Sequence, residues 1–196
     1  MKYNVSLEDV KTINTRENIP DLLNKMQVEY LCEIGVKEGE NFRRLLRGTF
    51  IKKAVAIDIW QDTGVLSQSD DPELDQLKLD QLYLAMKRLE STDHRVEVIK
   101  DFSPQVSNQF SDNYFDFVYI DADHTEAAVY ADLNAWWSKV RQGGILAGHD
   151  YCEAIVAGTV EFGVIQAVNR FVADNNLELH VDQDLPWRNW FIPKPV

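Results

Sequence analysis

Cysteine is scarce in this chain. Only Cys32 and Cys152 occur among 196 residues, far apart and in no C-x-x-C pair. That excludes a disulfide scaffold and a structural zinc knot and suits a reducing compartment, so a cytoplasmic location is expected. Glycine and proline are few, nine and six, and no Pro/Gly/Ser-rich linker, repeat or low-complexity tract divides the chain, so residues 1–196 are expected to form one domain. Long apolar runs are missing too. Nothing approaches the roughly 20 residues of a membrane span, and Met1-Lys2-Tyr3-Asn4 leads into no signal-type stretch. Basic residues are outnumbered: 20 Lys+Arg face 32 Asp+Glu, a formal net charge of −12. The resulting field repels phosphate backbones and anionic surfaces, so neither nucleic acid nor a membrane is an expected partner.

What is present is an alternation of two patterns. Short β-branched runs at Val28–Ile34, Ala54–Ile59, Val96–Ile99, Phe115–Ile120 and Ile145–Ala147 are strand-sized, and each is followed by polar residues or glycine. Between them, Asn41–Leu46, Pro72–Leu89, Pro104–Phe110 and Thr125–Val140 have helical spacing, with Gln61–Asp71 read as a loop. Asp71 before Pro72 and Ser103 before Pro104 place a capping side chain ahead of a first-turn proline. In the fourth helix Val129, Leu133, Trp136, Trp137 and Val140 mark one face, and Gly143-Gly144 are expected to stop it. Such alternation predicts a doubly wound, parallel α/β sheet, because parallel neighbours need a crossover. The last quarter differs: a helix over Val164–Asn175, then strands at Leu177–Val181 and Trp190–Ile192 around Pro186, predicts an antiparallel hairpin at one side.

In an open parallel sheet, ligands bind beyond the carboxyl ends of the strands. Here those ends are polar. The first ends in Glu33 and a Gly35–Gly39 loop that opens a helix; the second ends in Asp58, about 20 residues beyond Gly39, the spacing at which an acid reaches ribose hydroxyls. The loop is G-x-x-x-G rather than G-x-G-x-x-G, so a ligand without phosphates fits it better. Asp101-Phe102 after the third strand suits adenine, by hydrogen bond and stacking, unless Phe102 is core; Trp60 is another wall for a ring. The fourth strand ends Asp121-Ala122-Asp123-His124 and the fifth Gly148-His149-Asp150. If these strands are neighbours, Asp121, Asp150 and either His149 or Asp123 can ligate a divalent cation; alternatively the acids are caps bridged by the histidines. His124, with an ordinary pKa near 6.5, suits a general base. His94 and His180 read as surface residues.

The ordered set of these segments, from Glu33-Ile34-Gly35-Val36 through Ile120-Asp121-Ala122-Asp123-His124 and Gly148-His149-Asp150-Tyr151 to Asn189-Trp190-Phe191-Ile192, resembles the class I S-adenosylmethionine-dependent methyltransferases. The branch it resembles is the small-molecule O-methyltransferases related to macrolide-sugar and catechol enzymes. The resemblance implies a Rossmann-like sheet of seven strands, the last antiparallel, with residues 1–27 a short N-terminal cap segment. It implies S-adenosylmethionine as cofactor, bound through Glu33, Gly35, Gly39, Asp58, Ile59, Trp60, Asp101 and Phe102. It further implies Mg²⁺ on Asp121, His149 and Asp150, with His124 and Asp121 as the catalytic pair. A histidine in that metal set is a departure from the family pattern.

The expected reaction is methyl transfer to a small-molecule hydroxyl. An NAD(P)-dependent oxidoreductase, a non-catalytic S-adenosylmethionine-binding module and a metal-dependent hydrolase are the rival readings; the missing central glycine disfavours the first, and the set Asp121, His124 and Asp150 the second. A homodimer is expected only on the general frequency of isologous pairs.

Overall fold

A computed structural model of the chain describes residues 3–62, 72–153, 155–156 and 160–196. Its strands are β1 (Tyr30–Ile34), β2 (Lys53–Asp58), β3 (Val96–Lys100), β4 (Phe115–Ile120), β5 (Val140–Gly148), β6 (Ile155–Val156), β7 (Val160–Glu161), β8 (His180–Val181) and β9 (Trp190–Pro193). The main sheet has seven strands in the order β3-β2-β1-β4-β5-β9-β8, and β6 and β7 form a separate hairpin. Strands β1 to β5 are parallel, β9 is antiparallel to β5, and β8 is antiparallel to β9. The chain winds outward in both directions from the junction of β1 and β4. That junction is the switch point where such sheets leave a crevice for ligands.

Period-two alternation sorts the strand side chains into two cores. Leu31, Ala54, Ala56, Phe117, Tyr119, Ile145, Ala147 and Phe191 face one side. Cys32, Ile34, Val55, Ile57, Val118, Ile120, Leu146, Trp190 and Ile192 face the other. The first side is covered by α2 (Ile19–Met26), α3 (Glu40–Leu46) and α4 (Pro72–Thr92), through Leu22, Leu23, Met26, Phe42, Leu45 and Met86. The second is covered by α5 (Ser103–Val106), α6 (Glu126–Trp137) and α7 (Val164–Asp174), through Val106, Val129, Leu133, Trp136, Val168 and Phe171. Trp136 is core and Trp137 is half-buried at its edge.

Several local expectations change. Gly143-Gly144 lie inside β5, because Val140 already pairs with Phe115 and α6 stops at Trp137. The strand register shifts between Phe115 and Phe117. Gly143, at φ +67, makes room there for Asn4, whose Oδ1 would lie 2.3 Å from an added Cβ. Ser103 does not cap α5; its hydroxyl donates to Asp132 at 2.6 Å and accepts the Trp136 indole N–H at 2.8 Å. Two buried polar groups that need partners outcompete a helix end here. His180 is half-buried, its Nε2 3.2 Å from the Ile13 carbonyl. The Gln61–Asp71 loop from residue 63 onward, and the Asp71 cap, lie outside the described residues.

The segment before β1 is built into the fold. Ser6 and Asp9 form a reciprocal capping box at the start of α1 (Leu7–Val10). Val10, Ile13 and Ile19 are buried. The Val5 amide donates to the Gly143 carbonyl at 3.1 Å, and the Arg16 amide donates to Asp184 Oδ2 at 3.0 Å.

Candidate functional site

The carboxyl ends of β1, β2, β4 and β5 converge because adjacent parallel strands end at matched register: Ile34 is level with Ile57 and with Ile120, and Ile120 with Gly148. Gly35 then turns at φ +81, and a Cβ there would sit 2.0 Å from the Asp121 carbonyl oxygen, so only glycine lets the β1 and β4 tips meet. The Asp121 amide donates to the Ile34 carbonyl at 2.8 Å and the Gly35 amide to that of Ile57 at 2.8 Å. Just before this turn Glu33 is buried. One of its oxygens accepts from Asn41 Nδ2 at 3.1 Å, and the other has no partner among the described residues. Burial, then repulsion from Asp121, pushes its pKa up to about 8 against the Asn41 hydrogen bond and the nearby Arg16 and Arg44.

On the other side of Gly39, Asp58 gathers the loop. Its Oδ2 accepts the Lys37 amide at 2.7 Å and its Oδ1 the Trp60 amide at 2.9 Å. Burial raises its pKa despite these bonds. The Asp101 amide donates to the Asp58 carbonyl at 3.2 Å, so the β3 tip lies beside the β2 tip. Phe102 is 52% exposed there, an open aromatic face rather than core. Asp101 is exposed and accepts the Phe102 amide at 2.8 Å, and Ile59 is half-buried.

Trp60 is a correction. It is fully buried, packs on Tyr83 with centroids 5.2 Å apart, and donates its indole N–H to the Lys37 carbonyl at 2.9 Å. A ring closed in on that side supports the Lys37 loop from beneath and offers no wall to a ligand.

The four groups at the ends of β4 and β5 come together as the sequence suggests. His124 Nε2 is 2.7 Å from Asp150 Oδ2 and 3.8 Å from Asp121 Oδ1; His149 Nδ1 is 2.9 Å from Asp150 Oδ1 and 3.8 Å from Asp121 Oδ1. The 2.7 Å contact is an ion pair whose angle falls outside hydrogen-bond alignment. Asp150 sits at φ +59, a left-handed turn that aspartate tolerates better than most residues. Asp123 is exposed and accepts the Thr125 amide at 2.8 Å, a turn role, so it leaves the ligand set.

Electrostatics in this cluster favour charge separation. For His124, burial pulls the pKa down, but the neighbouring carboxylates of Asp121 and Asp150 outweigh it and push the value up to about 9. For Asp150, burial works the other way, and His124 and His149 hold it well below the usual carboxylate range. The imidazole of His124 therefore carries its proton at neutral pH in this arrangement, and the ordinary value near 6.5 does not apply.

One ligand atom each from Asp121, His124 and Asp150 lies within 4.8 Å of the others, a donor set of two carboxylates and an imidazole suited to a divalent cation. His149 Nδ1 lies about as near to both acids as His124 Nε2 does, so either imidazole can stand beside them.

Sequence reasoning missed three participants. Arg16, from the segment before α2, brings Nη2 to 3.3 Å from Asp121 Oδ2, both side chains being about one-fifth exposed. Phe162, from the stretch after β7, stacks on His124 at 4.8 Å and 9°. Asn189 accepts a hydrogen bond from the Tyr119 hydroxyl and donates to Asp182 at 2.6 Å, pinning β9 beneath the site. Arg16 and Phe162 carry no local signal, and the segment that holds Asn189 gave no hint of its role, since each matters through contact with a distant segment.

A family model described as a methyltransferase domain matches residues 32–151, from β1 through the acid and histidine cluster. The chain belongs to this methyltransferase-domain family. Solved structures agree on the fold of a class I methyltransferase. An O-methyltransferase from Bacillus cereus, in complex with S-adenosylhomocysteine, is 17% identical with a TM-score of 0.57, covering 98% of this chain and 83% of that one. Spermidine synthase from Thermotoga maritima is 17% identical with a TM-score of 0.55, covering 87% of this chain and 54% of that one. Among curated proteins, the uncharacterized protein R132 of Acanthamoeba polyphaga mimivirus is 26% identical over 160 residues, 81% of this chain. This methyltransferase domain spans 65% of that relative's length. No helix among its described residues is long and apolar enough to cross a membrane.

Proposed function

We propose that this methyltransferase domain, residues 1–196 as one unit, transfers a methyl group from S-adenosylmethionine to a hydroxyl of a small-molecule acceptor. The observation that carries this is the convergence of Asp58, Glu33 and the Phe102 face on one side of the Gly35 turn with Asp121, His124 and Asp150 on the other. The first group suits a nucleoside bearing a cation. Asp58 retains free lone pairs for a ribose diol, Phe102 presents an aromatic face for adenine, and the unpartnered oxygen of buried Glu33 is left to accept a hydrogen bond from the cofactor. Gly35, Gly39 and Ile59 shape the path between them, with Trp60 as support.

S-adenosylmethionine supplies an electrophilic methyl: the acceptor oxygen forms the new C–O bond as the C–S bond breaks, its electron pair staying on sulfur. The protein's part is chiefly alignment, worth on the order of 7–11 kcal/mol for well-oriented reactants. The hydroxyl proton goes to His124 Nε2, which first requires the ring to be neutral. Asp121 and Asp150 set that requirement, because their charges hold the proton on His124. The donor set fits a divalent cation such as Mg²⁺, held by Asp121 and Asp150 with His149 beside them; bound there, it would acidify the acceptor hydroxyl. Phe162 restricts the His124 ring to one plane by stacking on it.

The test is thermal unfolding with S-adenosylhomocysteine, with NAD⁺ and with neither. At 100 times the dissociation constant the bound compound adds about 2.7 kcal/mol, a midpoint shift on the order of 5–10 °C. A shift with the homocysteine compound alone is expected; a shift with NAD⁺ alone overturns the reading.

A further inference from the structure

Asp132 is a buried carboxylate outside the strand-end cluster, on the face of α6 that carries Val129, Leu133 and Trp136. It forms no ion pair among the described residues, and the charged group that bears on it is another acid, Asp123. The Cys32 thiol of β1 also feels Asp132, but burial pushes that thiol well above its ordinary 9 and keeps it neutral. Burial first, then Asp123, raises the Asp132 pKa to about 6. At neutral pH the group is therefore ionised, at a cost to the folded state.

What Asp132 holds is Ser103. The Ser103 hydroxyl donates to Asp132 Oδ1 at 2.6 Å and accepts the Trp136 indole N–H at 2.8 Å. An indole only donates, so Trp136 leaves the single Ser103 proton for Asp132. An ionised carboxylate accepts it in a charge-assisted bond, and a protonated one accepts it more weakly. Ser103 directly follows Phe102 and opens α5, a helix of four residues with no side-chain cap. So short a helix does not hold itself. The Phe102 carbonyl accepts the Gln105 and Val106 amides, each at 3.1 Å, so the turn that presents the open Phe102 ring moves with the start of α5.

We infer that Asp132 is a positioning residue for the adenine end of the cofactor: by tying Ser103 to α6 it fixes the start of α5 and with it the Phe102 face. The inference rests on the methyl-transfer reading for the cofactor, while the anchoring of the turn belongs to the ligand-free protein. Stability and cofactor affinity then respond to pH in opposite senses. Protonating Asp132 relieves the buried charge and at the same time loosens the turn.

The test uses Asp132→Asn, which keeps the shape and removes the charge. In the ligand-free protein at neutral pH, amide exchange followed by NMR is expected to be about fivefold faster for Gln105 and Val106 in the variant, the difference between a charged and a neutral hydrogen bond. Calorimetry with S-adenosylhomocysteine should show the parent's affinity falling by about the same factor as pH drops through 6, and the variant staying at the weaker value with no such step. Phe102→Ala, at an open position, should weaken binding and erase the effect of Asp132→Asn, because both act through one ring. Unchanged amide exchange, a step near pH 6 that survives in Asp132→Asn, or additive losses in the double variant overturns the inference. If the exchange result holds but S-adenosylhomocysteine binds neither protein, the anchor stands and the methyl-transfer reading fails.

Discussion

Arg16 Nη2 and Asp121 Oδ2, on residues 105 positions apart, meet at 3.3 Å at the mouth of the site. A fixed cation thus rests on the carboxylate that the metal reading assigns to a divalent ion. Removing the guanidinium should free Asp121. Arg16→Gln is expected to tighten Mn²⁺ binding about fivefold, the equivalent of about 1 kcal/mol for a partly exposed pair. Electron paramagnetic resonance titration of free Mn²⁺ measures this directly, and unchanged or weaker binding would remove Asp121 from the ligand set.

Asp58 serves two masters, the loop amides and the proposed ribose. Asp58→Asn keeps one carbonyl oxygen for Lys37 or Trp60 but loses the charge and half the acceptors. S-adenosylhomocysteine affinity should fall by about tenfold or more, as for hydrogen bonds to a charged group, while the unfolding midpoint moves little. Calorimetry paired with thermal melts separates the two effects.

Gly35→Ala should be far more damaging than its one added methyl suggests. The new Cβ would lie 2.0 Å from the Asp121 carbonyl oxygen at a positive φ. Left-handed strain alone costs about 1–2 kcal/mol, and the clash must part β1 from β4. The expected outcome is loss of more than about 3 kcal/mol in urea unfolding, with cofactor binding lost in whatever protein remains folded.

Asp132 predicts a pH dependence of stability. Burial first, then Asp123, pushes its pKa from the ordinary 3.8 up to about 6, against the hydrogen bond from Ser103. Between those two values the folded state holds more protons than the unfolded one, so this residue's contribution is fullest below about pH 4 and is lost as pH rises through 6. Asp132→Asn should therefore match the parent near pH 4 and exceed it near pH 7, by up to about 3 kcal/mol. Urea melts across that range measure the difference; a variant advantage that does not grow with pH would falsify the assignment.

The fold was legible because its signals are local. The alternation of Ala54-Val55-Ala56-Ile57 sends neighbours to opposite cores, as the two cores show, and any chain segment with that period must do the same on a sheet buried on both faces. Strand tips were legible for the same reason: Glu33, Asp58, Asp121 and Asp150 each break an apolar run. Local rules failed where a polar group had a better distant partner. Ser103 turned from a helix cap to Asp132 and Trp136, and Gly143-Gly144 became a strand irregularity that makes room for Asn4.

By itself, then, the sequence determined the seven-stranded sheet, its antiparallel edge, and the list of acids and histidines at the strand ends, since periodicity and chain order suffice for these. Only the tertiary structure decided what surrounds them. Arg16 and Phe162 meet the strand-end cluster from segments with no motif, Trp60 faces inward, and Asp121 and Asp150 push the His124 pKa up. Each of these depends on distances through space and on the exclusion of water, which no pattern along the chain encodes.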